Sequence, residues 1–244
     1  MNSPVVLLHG WGLSSAVWAP LTAQLAPSLT IHTPDLPGHG NAPPAGETLA
    51  DWADALIPAL PDGATVIGWS LGAQLALHLA AHAPRKVARL VLIAASPRFV
   101  QADDWPTAMP VDTLTEFRRS FDLDSAATQR RFVALQALGD TARREVSVTL
   151  TAAVTPADAS RQPALATGLR LLAETDQRAL VGQITQPVRL LHGSEDKLMP
   201  VAAAEWLADH LPNGQLSVFQ HAGHAPFVSR PADCATLIES FIRD

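Results

Sequence analysis

Gly68-Trp69-Ser70-Leu71-Gly72 sets a serine between two glycines, each two positions away. A serine hydroxyl attacks a carbonyl only if a base takes its proton as the bond forms. Such a serine must also stand on a turn sharp enough to lift it clear of its surroundings. Glycines at 68 and 72 suit that turn, because side chains there would crowd a strained serine backbone. The five-residue pattern alone is weak. An aliphatic run into Gly68 and an apolar helical run after Ser70 strengthen it, since a nucleophile elbow needs strand, turn and helix in that order.

The base must come from nine histidines. His224, in His221-Ala222-Gly223-His224-Ala225-Pro226, is the preferred candidate, with His221 the competitor. His78 and His82 fall on the helix after Ser70, and His9, His32 and His192 at strand ends; these read as packing, turn or solvent-facing residues. A carboxylate should fix the imidazole tautomer and stabilise the imidazolium. Gly193-Ser194-Glu195-Asp196-Lys197 offers two, Asp196 preferred and Glu195 the alternative. The order Ser70, Asp196, His224 suits an elbow serine. An oxyanion needs donors already aimed at it. The Leu71 N–H at a helix start and the Trp11 N–H in Gly10-Trp11-Gly12 are the candidates, with Trp11 as a plain buried aromatic the alternative.

The elements that must hold these residues alternate. Strands are expected at 5–8, 29–33, 64–69, 87–95, 188–192 and 216–219, with helices at 15–26, 48–60, 71–82, 201–211 and 231–242. Alternation of this kind implies an α/β fold with a mostly parallel sheet and helices on both faces. It breaks between 96 and 186, where only helical segments (112–121, 125–138, 141–153, 164–175) are legible. The expected organisation is a core of 1–95 plus 187–244 and an all-helical cap, or lid, over 96–186. An insertion at the carboxyl ends of parallel strands sits where ligands bind.

Length and composition agree with this. A chain of 244 residues with 48% hydrophobic and 16% charged residues can bury a large core and is not disordered. A net charge of −6 disfavours nucleic acid as a partner. No apolar run reaches the roughly 18 residues of a membrane span, and MNSPVVLLHG lacks the basic start of a signal peptide. The single cysteine, Cys234, gives no disulfide framework, and the scattered histidines give no metal-ligand spacing. Gly38-His39-Gly40 lacks the rest of a dinucleotide fingerprint, so no cofactor is expected. A cytoplasmic monomer is expected.

LLHGWGL (7–13), DLPGHG (35–40), GWSLG (68–72), ASPRF (95–99), DDWP (103–106), RRFVALQALG (130–139), TARRE (141–145) and AGHAPF (222–227) together resemble the α/β-hydrolases. Within them, FVALQ and TAR resemble the pimeloyl-[acyl-carrier protein] methyl ester carboxylesterases of biotin synthesis. The resemblance implies an α/β-hydrolase fold and a serine carboxylesterase that frees methanol from a methyl pimeloyl chain on acyl-carrier protein. It implies an acyl pocket lined by Trp11, Ser70, Leu71, Phe132, Val133, Ala134, Leu135, Gln136 and His224. It also implies carrier contacts at Arg131 and Arg143. Two further family arginines are Ala127 and Ser147 here, with Arg130 and Arg144 as nearby substitutes. Residues 97–181 hold ten basic side chains, all arginine, while the only lysines are Lys86 and Lys197. A planar guanidinium suits the phosphate and carboxylates of an acidic carrier. A general short-chain carboxylesterase without a carrier partner is the alternative, and a catalytically silent ligand-sensing scaffold is the third reading.

Overall fold

A computed structural model describes residues 4–243; residues 1–3, which open the stretch read for leader features, and residue 244 lie outside it. Strands β1 (Val5–Leu8), β2 (Ile31–His32), β3 (Ala64–Trp69), β4 (Val87–Ile93), β5 (Val188–Gly193) and β6 (Gly214–Phe219) form one parallel sheet in the order β2-β1-β3-β4-β5-β6. Side chains alternate across a strand, and here alternate residues feed two cores. Val6, Leu8, Val66, Leu90, Leu92 and Leu190 join one. Val5, Leu7, Ile67, Trp69, Val91, Ile93 and Leu191 join the other. A sheet apolar on both faces must be covered on both.

The first core is closed by α2 (Leu49–Leu56), α3 (Leu71–His82) and α9 (Val201–His210), through Trp52, Leu75, Leu79 and Leu207. The second is closed by α1 (Ala19–Thr22), α10 (Pro226–Ser229) and α11 (Pro231–Arg243), through Leu21, Phe227 and Ile238. Helix α2 starts on a capping box in which Thr48 and Asp51 satisfy each other's backbone N–H. Between β4 and β5 the chain forms α4 (Val111–Leu123), α5 (Ser125–Gln136), α6 (Arg143–Ala152), α7 (Gln162–Glu174) and α8 (Arg178–Val181).

Register decides what this frame can position. Leu8 pairs with Gly68, Trp69 with Ile93, and Gly193 with Phe219. The residues that follow, 9–12, 70, 194–196 and 220–224, therefore leave the sheet along one edge.

Several expected boundaries move. The helix expected over 15–26 is a 3-10 turn, Ser15–Trp18, followed by the single turn of α1. The strand expected over 29–33 keeps only Ile31 and His32, an edge strand followed closely by Pro34. The strand expected to reach 95 stops at Ile93 because Ala94 takes a positive φ of 46°. The one-turn helices α8 and α10 are too short to show a period. Among the described residues, no helix is long and apolar enough to cross a membrane.

Candidate active site

Ser70 continues β3, its N–H bonding to Ile93 O at 3.1 Å, and its carbonyl accepts from Ala73 and Gln74 to start α3. Between these roles its backbone sits at φ 57°, ψ −117°, a region that costs a residue with a side chain roughly 1–3 kcal/mol. The flanking glycines have no alternative: a Cβ at 72 would lie 2.2 Å from Leu8 O, and one at 68 would lie 2.3 Å from Gly72 O. Leu71 is the first residue of α3, so its N–H has no helical acceptor and points out of the positive end of the helix.

The two carboxylates after β5 separate clearly. Glu195 is half-buried and pairs with Lys197 at 3.0 Å. Asp196 is buried, and its Oδ1 accepts from the Leu198 and Met199 N–H groups at 2.9 and 3.0 Å. Its Oδ2 lies 2.7 Å from His224 Nδ1. Burial alone would raise the proton affinity of this carboxyl; the facing His224 ring, His192 and the Met199 N–H outweigh it and hold Asp196 below the usual carboxylate range. The histidines separate too. His221 is exposed at a positive φ of 61°, its N–H on Ser194 Oγ. His224 is buried, and Trp69 donates its indole N–H to His224 O at 2.8 Å with the rings 5.5 Å apart. The Trp69 link draws the imidazole to the residue beside the serine. Among the described residues, His224 Nε2 is buried and has no hydrogen-bond partner, Ser70 Oγ included; hydrogen bonds between a base and its nucleophile often tighten only with substrate bound.

On the turn after β1, His9 accepts the Leu36 N–H on Nε2 at 3.0 Å, which leaves its proton on Nδ1, 2.8 Å from Gly10 O. Every described peptide is trans. Clamping the Gly10 carbonyl therefore aims the Trp11 N–H to the opposite side of that peptide. The Trp11 indole donates to Leu165 O at 2.7 Å and meets Phe117, Phe121 and Phe132 edge-on.

The helices after β4 also buttress the site, which the sequence did not disclose. Asp140 accepts from Gly223 N at 2.8 Å, Gln136 O accepts from His224 N at 3.2 Å, and Thr141 N donates to His221 O at 3.1 Å. A Cβ at Gly139 would meet Glu195 Cβ at 2.8 Å, so this turn packs on the Asp196 loop as well. Asp140 carried no signal beyond Gly139-Asp140 as a turn. The five residues expected over 132–136 divide between different surroundings, and Trp11, Ser70, Leu71 and His224 do not line the apolar pocket that two of them border. Phe132 and Leu135, one helical turn apart, line an apolar pocket with Phe99, Met109, Leu114, Phe117, Leu169, Leu172 and Leu198. Val133 faces the opposite core beside Leu150 and Phe227, Ala134 is exposed, and Gln136 is buried with its amide on Phe132 O. A helix shows one face to a pocket, so a run of five cannot line it. Arg130, Arg131, Arg143 and Arg144 are exposed and form no ion pair among the described residues, whereas Arg98, Arg119, Arg161, Arg170 and Arg178 are all paired.

Acid should unfold the protein through its buried imidazoles. Burial lowers the pKa of His9 from 6.5 to about 4 and of His39, 5.5 Å away, to about 3. Below pH 6.5 the unfolded chain then binds protons that the native one refuses, so stability falls as pH drops from 6.5 towards 4. Urea midpoints across that range should show this, and His39→Phe, which removes a buried Nε2 with no hydrogen-bond partner among the described residues, should flatten the slope. An unchanged slope would refute it.

A serine on a strained strand-to-helix bend and a buried imidazole–carboxylate pair on neighbouring loops are the parts of a hydrolase set on a parallel sheet. The chain belongs to the α/β-hydrolase family: the family described as alpha/beta hydrolase fold matches residues 3–231. It is 55% identical to a protein of Aromatoleum aromaticum named pimeloyl-[acyl-carrier protein] methyl ester esterase, over all of both chains. A protein of the same name from Nitrosomonas europaea is 39% identical, over 94% of this chain and 92% of its own. The fold also matches an esterase from Exiguobacterium antarcticum, with a TM-score of 0.83 at 22% identity over 100% of this chain and 92% of that one. A bromoperoxidase from Bacillus anthracis gives 0.86 at 17% identity over 100% and 93%. These two matches speak to fold alone.

Proposed function

We propose that this chain is a serine carboxylesterase that hydrolyses the methyl ester of pimeloyl-[acyl-carrier protein], releasing methanol. The observation that carries the reading is the 55% identity, end to end, with the Aromatoleum aromaticum protein of that name. Ser70 Oγ attacks the ester carbonyl while His224 Nε2 takes its proton. The Trp11 and Leu71 N–H groups receive the oxyanion. Collapse expels methoxide, which takes the proton from His224 and leaves as methanol. Water, deprotonated by His224, then attacks the pimeloyl-serine ester; the second tetrahedral intermediate collapses with loss of the Ser70 oxygen, which takes the proton back from His224.

The apolar pocket supports this assignment, since the polymethylene stretch of a pimeloyl chain needs such a lining. Residues 96–186 act as the cap in this reading, and their unpaired arginines offer guanidinium groups to an acidic carrier's carboxylates and phosphate. Kinetics with methyl pimeloyl-carrier protein and with a free methyl ester test it; equal kcat/KM for both would remove the carrier and leave a general carboxylesterase. Arg131→Glu with Arg143→Glu should raise KM for the carrier-linked ester by about tenfold or more and leave the free ester unchanged. Equal effects on both esters would count against carrier docking at these arginines.

A further inference from the structure

Thr155, in the link between α6 and α7, is buried, and all of its polar groups are engaged by elements far away in the chain. Its N–H donates to Gly12 O at 2.9 Å and its hydroxyl to Leu13 O at 2.8 Å. The same hydroxyl accepts from Gly40 N at 3.0 Å, and its carbonyl accepts from the buried Gln129 side chain on α5 at 2.7 Å. Two carbonyls that follow Trp11 are thus gripped by one residue. His9 grips the carbonyl before it. Gly12 itself has a positive φ of 76°, which leaves this turn with little intrinsic preference to hold it.

We propose that Thr155 is a positioning residue for the esterase reaction: through Gly12 and Leu13 it holds the oxyanion turn in place and registers it against α5. The proposal rests on the reading that Trp11 N–H binds the oxyanion. Aligned donors matter most when charge develops, so losing the grip should lower kcat and leave KM nearly untouched. The carbonyl–Gln129 bond ties the same turn to the helix that carries the pocket residue Phe132.

Thr155→Val keeps the shape and removes the hydroxyl. Its kcat on p-nitrophenyl butyrate should fall about 30-fold with KM within about twofold. Its affinity for a trifluoromethyl ketone, which forms a tetrahedral adduct with the serine, should fall in parallel. Thr155→Ser, which restores donor and acceptor, should recover most of the rate. A wild-type kcat for Thr155→Val, or an equal loss in the Ser variant, overturns the proposal. If the Val variant does not fold, comparing Thr155→Ala with Thr155→Ser decides by the same criteria. Ser70→Ala in the same assay keeps the two ideas apart: activity in that variant sinks the underlying triad, whereas its inactivity beside an unaffected Thr155→Val sinks only this proposal.

Discussion

Ser70→Ala is expected to cut kcat for any ester substrate by about 10⁵–10⁶-fold while leaving KM and thermal stability close to wild type. Only the hydroxyl is removed, and the backbone bonds that fix the bend, Ser70 N to Ile93 O and Ala73 N to Ser70 O, do not involve it. Alanine can occupy the φ 57° conformation at much the same cost as serine, because both carry a Cβ. What remains should be the small catalysis that the amide donors give to attack by water. Steady-state assays on p-nitrophenyl esters, with a melting curve as the folding control, measure this. Retention of even a tenth of the wild-type kcat would eliminate Ser70 as the nucleophile.

How far each feature was legible depends on the range of the forces behind it. Strand β3 and helix α3 are legible to the residue, since the turn at Pro61-Asp62-Gly63, the glycine-flanked Ser70 and Pro84 bound their apolar runs. Ser70, Asp196 and His224 could be nominated because only certain side chains do that chemistry. Asp196 is preferred over Glu195 from the sequence, and the structure adds its burial and the two backbone N–H groups on its Oδ1. Local pattern missed what is settled at long range. Ala94 turns left-handed at the end of β4 with no glycine to announce it. Asp140 and Thr155 look like loop residues, yet their partners lie 83 and 142 positions away. Val133 and Ala134 are neighbours in sequence, but helical rotation sends one into the core and the other to solvent.

The contacts of the post-β4 segment reach the loops that carry Trp11, Asp196 and His224. The turn 136–141 holds the His224 loop and abuts the Asp196 loop. Thr155 holds the turn bearing Trp11, and Leu165 O takes that residue's indole N–H. A segment that only shaded a pocket would need none of these buried polar bonds. A displacement of this segment would therefore disturb the turn of Trp11 and the loops of Asp196 and His224.

Asp196→Asn should be almost as damaging as loss of the serine, although it changes one atom and keeps the shape. Oδ1 accepts two backbone N–H groups, from Leu198 and Met199. An asparagine must keep its oxygen there, because its NH₂ would face two donors. The NH₂ is then forced into the Oδ2 place, 2.7 Å from His224 Nδ1. A donor at that point requires Nδ1 to be the acceptor, which moves the ring proton to Nε2. The nitrogen that should receive the Ser70 proton is already protonated, and kcat at neutral pH should fall about 10⁴-fold with KM little changed. His192 Nε2, bonded to Met199 O and 3.5 Å from Asp196 Oδ2, presents a second donor to the new NH₂ and offers it no relief. Nδ1 and Nε2 chemical shifts of ¹⁵N-labelled histidine would report the tautomer directly, alongside kcat. If the variant kept more than about a tenth of the wild-type kcat, or its His224 proton stayed on Nδ1, the carboxylate would not be setting the tautomer of the base.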